Sequence, residues 1–508
     1  MIGMEKMGMG KSVRRKVSQL VVPRLEGRRL TDSTYFEKIK RLVERGIGGF
    51  ILFGGKYKDV KKALKELQRI SDTPLFIASD LEQGLGQQIE GGTLFPSALA
   101  IGSAIDTENK DDIKLLKEAI QIMSQEAIEV GINVILAPVL DINTNPENPI
   151  ICTRAFSDNP GKVTWFGREF IEGIQSLGLI ACAKHFPGHG DTERDSHLEL
   201  PVIKKPIDTL RRIELRPFAV AIKAGVQMIM AGHLRVDAID PDSPASLSYK
   251  VINGFLRKDL GFKRIVITDA INMGALKERY NEDEACFLAL KAGVDIILHP
   301  ENPESVIESL LSKWEEIELQ VEGSLKRISK AKKRFSIVKG IEGLKSTIHL
   351  KTKNKVAETL SKKAIKIIKG IPEFSEISIL LILDDDNSGA GNTFTNTLKT
   401  KYSFIEVIYI DSDNLSSERL RVIKNVNGKP LIVGIFSKVS AWKGRSGINQ
   451  GFYQFLKDSL KESYTSTVIS FGSPHILDKI EADNLIAAYW GSDYAQRAVG
   501  TLLCEKAT

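Results

Sequence analysis

The run Leu179-Ile180-Ala181-Cys182-Ala183 is apolar throughout and stops on an ionisable pair, Lys184-His185. It does not alternate with polar residues. A strand buried on both faces reads this way, whereas a strand with one wet face alternates and a helix needs a longer periodic segment. Runs of the same kind stand at 19–22, 49–53, 75–78, 133–138, 227–230, 265–268 and 295–298, which makes eight in all. Amphipathic stretches separate most of them, among them 60–70, 112–130, 162–178 and 210–224. Eight buried strands alternating with helices predict a (β/α)8 TIM-type barrel.

In such barrels the carboxyl ends of the strands carry the chemistry. Asp80 follows the third run and Asp141 lies shortly past the fourth. Lys184 and His185 follow the fifth, His233 the sixth and Asp269 the seventh. A lone aspartate after a strand is equally well a helix N-cap. Ionisable groups at five strand ends together point to a site.

Beyond 328 the chain turns basic and helical up to about 363, as a closing helix and linker would. A second strand–helix series follows, with apolar runs at 377–383, 405–410, 430–436, 467–471 and 485–490. This predicts a C-terminal α/β/α sandwich. The domains are accordingly 1–335 for the barrel, 336–363 for the linker and 364–508 for the sandwich. The turn 384–392 after the first of these strands is not GxGxxG, and its three aspartates would repel phosphate, which argues against nucleotide binding.

The whole-chain numbers agree with an ordinary globular protein. Of 508 residues 42% are hydrophobic, enough for two cores. The net charge of +7 is thinly spread, and basic clusters such as Arg14-Arg15-Lys16 and Lys332-Lys333-Arg334 read as solvated helix faces, so no nucleic-acid partner is expected. No stretch is long and apolar enough for a membrane span. The start of the sequence lacks the apolar segment of a secretion signal, and the four cysteines show no disulfide or zinc spacing, so a cytoplasmic protein is expected. Nothing in the sequence fixes an oligomeric state.

The fifth strand runs into Lys184-His185-Phe186-Pro187-Gly188-His189-Gly190-Asp191-Thr192-Glu193-Arg194-Asp195-Ser196-His197. Pro187, Gly188 and Gly190 shape this segment as a loop. Three of the chain's seven histidines lie in it. His185, His189, Asp191, Asp195 and His197 are all metal-ligand types, but their spacing matches no standard zinc pattern, and no metal or other cofactor is expected. Asp195 and His197 stand two apart, so on an extended loop their side chains share one side. The carboxylate would fix the tautomer and orientation of the imidazole, which suits a histidine acting as general acid and then general base. His189 and Asp191 are expected to shape the loop.

The segment 184–197 resembles the signature loop of glycoside hydrolase family 3 β-N-acetylglucosaminidases, the bacterial enzymes of peptidoglycan recycling. Ala137-Pro138-Val139-Leu140-Asp141-Ile142-Asn143, with Asn148-Pro149 and Arg154-Ala155-Phe156, is similar to a second barrel motif of that family. Ile267-Thr268-Asp269-Ala270-Ile271-Asn272-Met273 resembles its nucleophile motif, and Ala441-Trp442-Lys443-Gly444 and Phe471-Gly472-Ser473-Pro474 resemble parts of its sandwich. The resemblance implies a retaining β-N-acetylhexosaminidase that removes terminal non-reducing β-N-acetylglucosamine, acting on carbohydrate such as peptidoglycan-derived fragments. It implies Asp269 as nucleophile, His197 with Asp195 as acid/base dyad, and Asp80, Arg154, Lys184 and His185 as substrate contacts. Two positions depart from the family pattern. Gln88 stands where an arginine is common, and Ala270 where a second acidic residue is common. The alternatives are a β-glucosidase or xylosidase of the same family, a glycoside phosphorylase, or a carbohydrate-binding barrel without catalysis.

Overall fold

The computed structural model describes residues 12–337, 349–370, 379–402, 405–440 and 443–505. By Cα proximity the chain divides into two compact units. One comprises 12–94, 117–142, 158–337 and 349–353, and the other 95–116, 143–157 and the described residues from 354 to 505.

The first unit holds the expected barrel. Its first strand, β1, is split into Val21–Val22 and Arg24–Glu26. The others are β2 (Gly49–Phe53), β3 (Phe76–Ser79), β4 (Val134–Ile135), β5 (Ile180–Phe186), β6 (Met228–Ala231), β7 (Ile265–Ala270) and β8 (Ile296–Leu298). All neighbours pair in parallel. The split in β1 closes the ring. Val21 and Val22 pair with Ile297 and Leu298 of β8, while Arg24 to Glu26 pair with Ile51 to Phe53 of β2. Between the halves stands Pro23, which has no N–H to give and accepts from Ile51 N–H at 2.9 Å. The barrel strands are buried almost end to end, as their unbroken apolar runs require.

Two strands lose register at their carboxyl ends. In β5 the pairing with β6 shifts between Ala183 and Phe186, and in β7 the pairing with β8 shifts between Ile267 and Ala270. Such irregularities re-aim side chains. They fall on Lys184-His185 and on Asp269. The Lys184–His185 peptide is cis.

The second unit holds a six-stranded sheet. Its strands are β9 (Lys366–Lys369), β10 (Ile379–Asp384), β11 (Glu406–Asp411), β12 (Pro430–Phe436), β13 (Thr465–Ser470) and β14 (Asn484–Ala487), in the order β9-β14-β13-β12-β10-β11. Five run parallel, and β9 is an antiparallel edge that the sequence reading missed. The helix Asn392–Lys399 pairs with Asp493–Glu505, and Leu415–Val426 pairs with Gln450–Glu462, giving the α/β/α layering. Leu380 and Ile382 of β10 pack with Phe394, Leu398, Val499 and Leu503. The apolar run expected at 377–383 begins on residues outside those described, as do parts of the linker (338–348) and Ala441-Trp442.

The basic clusters part company. Arg14, Arg15 and Lys16 pair with Glu308, Asp72 and Glu322. Lys332, expected on a solvated face, is instead buried. Among the described residues, no helix is long and apolar enough to cross a membrane.

Candidate active site

Five barrel strands, β3 to β7, lead into polar residues at the carboxyl rim, and several of these bind one another. Lys184 is buried and splits its ammonium between Asp80 Oδ1 and Glu82 Oε1, both at 2.7 Å. Asp80 remains about a quarter exposed, with a side-chain accessibility of 26% against 8% for Glu82. It is the carboxylate of the two that faces the rim.

Asp141 is fully buried. It accepts from His185 Nδ1 at 2.6 Å, from the His185 backbone N–H at 3.4 Å and from the His189 backbone N–H at 2.7 Å. A buried carboxylate beside an imidazole nitrogen fixes the proton there, so His185 presents Nε2 on the other side. Asp80 and Asp141 therefore spend their carboxylates within the rim, and none of Asp80, Asp141 and Asp269 caps a described helix.

Asp195 and His197 do form the expected pair. Asp195 Oδ1 accepts from His197 Nδ1 at 2.8 Å and from the His197 backbone N–H at 2.9 Å. The carboxylate is fully buried while the imidazole is 23% exposed. With Nδ1 committed to Asp195, Nε2 is the nitrogen placed to exchange a proton.

The loop around this pair is tied down on several sides. His189 contacts Thr192 Oγ1 through Nδ1 at 2.8 Å and Ser196 Oγ through Nε2 at 3.0 Å. Burial pulls His189 down to about 4, so its ring is neutral and structural. Asp191 pairs with Lys205 at 2.9 Å, and Lys205 also binds Glu214 at 2.8 Å. These two residues shape the loop. Across from it, the turn that follows β7 donates Gly274 N–H to His197 O at 3.1 Å and Ala275 N–H to Ser196 O at 3.2 Å. The dyad loop and the Asp269 strand are thus stitched together by backbone.

Asp269 is the penultimate residue of β7 and accepts from the Ala270 N–H at 2.8 Å. Burial opposes its ionisation, but His185, His233 and His197 outweigh it and hold the carboxyl well below the usual carboxylate range. His233 is fully buried, and burial lowers its pKa. It faces the Ala270 carbonyl through Nε2 at 3.0 Å and Ser246 Oγ through Nδ1 at 2.7 Å. Nε2 donates to the carbonyl, and the Ser246 hydroxyl can serve Nδ1 as donor or acceptor. His299, after β8, is also pulled down to about 4 by burial.

Arg154 belongs to the second unit. It ends the turn Cys152–Arg154, and its guanidinium donates to the Ile150 carbonyl at 3.2 Å. Gln88, at the departure from the family pattern, accepts from the Gly54 N–H at 3.4 Å. Among the described residues, no three His, Cys, Asp or Glu side chains converge as a metal site would require. Asp195 pairs with His197, Asp191 with Lys205, His185 with Asp141, and the His189 ring with Thr192 and Ser196. Glu82, Gly274 and His299 were not found by sequence reading. Glu82 had a signal, since it stands two residues from Asp80 on the same side of the chain.

A carboxylate held ionised, with an imidazole dyad stitched to its own turn, can perform nucleophilic attack with general acid and base assistance. The family model described as the glycosyl hydrolase family 3 N-terminal domain matches residues 12–331. A β-hexosaminidase A of Pseudoalteromonas piscicida is 35% identical over 286 residues, covering 52% of this chain and 47% of that protein. This chain thus spans about half the length of that relative. A β-hexosaminidase of Nitrosomonas eutropha is 31% identical over 274 residues, covering 53% of this chain and 78% of the relative. A family 3 β-N-acetylglucosaminidase structure from Paenibacillus sp. superposes with a TM-score of 0.82 at 27% identity, covering 97% of this chain and 96% of that one.

Proposed function

The chain belongs to glycosyl hydrolase family 3, and on that premise we propose that it is a retaining β-N-acetylhexosaminidase removing terminal non-reducing β-N-acetylglucosamine. The observation that carries the reading is the Asp195–His197 pair, bound at 2.8 Å on a loop joined by backbone to the turn after Asp269. Hexosaminidases among its relatives support the same reading.

Asp269 attacks the anomeric carbon as the bond to the aglycone oxygen breaks, and His197 Nε2 gives that oxygen its proton. A covalent glycosyl–enzyme results. His197 then takes a proton from water, the water oxygen attacks the same carbon, and Asp269 is released. Asp195 keeps Nδ1 protonated throughout. The usual retaining pair is two carboxylates roughly 5 Å apart, and here an imidazole replaces one of them. Asp80, Lys184 and His185 are assigned to sugar hydroxyls; a partly exposed carboxylate backed by a buried ammonium at the rim suits that task.

The glycan is assigned to peptidoglycan-derived fragments by the resemblance of the 184–197 loop. The four unpaired cysteines, three of them buried, suit a reducing compartment, and we place the protein in the cytoplasm. The barrel, linker and sandwich divisions at 1–335, 336–363 and 364–508 are retained, each sheet falling within one of them.

The test compares aryl β-N-acetylglucosaminide with aryl β-glucoside, followed by trapping with a fluorinated sugar and peptide mapping. Preferential turnover of the acetylated substrate and a label on Asp269 are expected. Preference for the glucoside, or a label elsewhere, would overturn the assignment.

A further inference from the structure

The opposite end of the barrel carries a feature that the catalytic reading does not use. Lys332 lies on the helix Trp314–Arg334 and is 7% exposed. Its Nζ donates to Gln19 Oε1 at 3.1 Å and lies 4.7 Å from the centre of the Phe76 ring. Gln19 is locked in that orientation, because its amide NH2 donates to the carbonyls of Gly46 at 2.7 Å and Ile47 at 3.3 Å. Among the described residues Lys332 makes no ion pair, and burial alone pulls its amine down to about 7.

Lys332 and its partner Gln19 both line a cavity of about 630 Å³, within the range of small-molecule sites. Pro74, Leu325, Ile328 and Ile337 supply its apolar wall, and Thr73 and Ser329 supply hydroxyls. Gln19 precedes β1 and Thr73 precedes β3, so the cavity opens at the amino ends of the strands, away from Asp269.

We propose that this cavity is a second binding site, for a small organic carboxylate whose apolar body lies along Pro74, Leu325 and Ile328 and whose anionic head pairs with Lys332. A buried amine whose hydrogen-bond partner is a neutral amide lacks the counter-ion that its charged form needs. An incoming carboxylate provides it, and Thr73 and Ser329 contribute hydroxyl-bearing side chains to the lining of the same cavity. The sign of the linked protonation follows. Without ligand the amine is largely neutral above pH 7, and the anion favours the ammonium, so binding above that pH takes up a proton.

The experiment is calorimetric titration of the full chain with octanoate at about pH 8, in two buffers of different ionisation enthalpy, with 1-octanol as the neutral counterpart. Saturable one-to-one binding is expected, with up to one proton taken up and at least about tenfold preference for octanoate over octanol. Lys332→Met should abolish that preference and leave glycoside turnover unchanged, since Lys332 lies outside the catalytic rim. Equal binding of octanoate and octanol by the wild-type chain, no saturable binding, or binding without proton uptake would each overturn the proposal. The wild-type comparison stands even if the variant does not fold.

Discussion

Gly274 offers the sharpest test of how the acid/base loop is held. A Cβ at this position would lie 2.5 Å from His197 O and 2.7 Å from Leu198 O, both backbone atoms. Ordinary contact begins near 3.4 Å, so Gly274→Ala must push the dyad loop back by about 0.9 Å. The same shift stretches the Gly274–His197 and Ala275–Ser196 hydrogen bonds, now 3.1 and 3.2 Å. Those two bonds are worth about 1 kcal/mol each, so the melting temperature should fall by a few degrees without loss of the fold. Misplacing a catalytic group by ~1 Å costs on the order of 100-fold in rate. The loss should concentrate on substrates with poor leaving groups, which need a proton from His197 most. The assay is kcat/KM across aryl β-N-acetylglucosaminides of graded leaving-group pKa, with thermal melting in parallel. A Gly274→Ala protein that hydrolyses the poorest leaving group at the wild-type rate would refute the reasoning.

Other outcomes follow from the same geometry. Asp195→Asn leaves a side chain of the same shape but can present its NH2 to His197 Nδ1 and so favour the wrong tautomer; kcat on an unactivated substrate should drop by about 10²- to 10⁴-fold, and far less on an activated one. Asp269→Ala should abolish turnover and fluorosugar labelling together, and a protein still labelled at another residue would move the nucleophile elsewhere. Because His185, His233 and His197 hold Asp269 below the usual carboxylate range, its ionisation favours the folded state above pH ~4; that contribution is lost as pH falls further, and Asp269→Asn should flatten the denaturation profile there. His189 has the same sense by a different cause: burial disfavours its charged form, its folded value of about 4 lies below the ordinary 6.5, and stability is full above 6.5 and falls by roughly 3 kcal/mol as pH drops toward 4. His189→Gln should flatten that slope in urea titrations, and an unchanged slope would mean that another group carries it.

Much of the barrel was readable because burial on both faces writes itself as unbroken apolar runs, and no helix imitates eight of them at this spacing. What escaped was decided by tertiary position. The edge strand β9 is Lys366-Ile367-Ile368-Lys369, exposed at every position, and so resembles the basic stretch before it. Lys332 sits in a basic run that looks solvated, yet packing drives it against Phe76. Within the candidate site, Asp195 and His197 were legible because partners two residues apart need little folding to meet. Glu82 with Lys184, and Gly274 with His197, are partnered across the barrel, and the one local hint of either is the nearness of Glu82 to Asp80 in the chain.

The charge arrangement at the rim gives a reason for an imidazole where related chemistry uses a second carboxylate. Asp80 and Glu82 share Lys184, Asp141 takes three donors from His185 and His189, and Asp195 takes two from His197. Each of these carboxylates is held by a lysine or histidine partner that fixes its orientation. Asp269 differs, because its charge is favoured chiefly by surrounding imidazoles at longer range and by one backbone N–H. A carboxylate neutralised at a distance keeps its oxygen available for attack, whereas one in a close ion pair does not. Replacing His197 with glutamate would put a second anion beside Asp269 and remove part of that field. His197→Glu should therefore move the acid limb of the kcat/KM profile upward as well as lower its plateau. A lowered plateau with an unmoved acid limb would show that His185 and His233 alone keep Asp269 ionised.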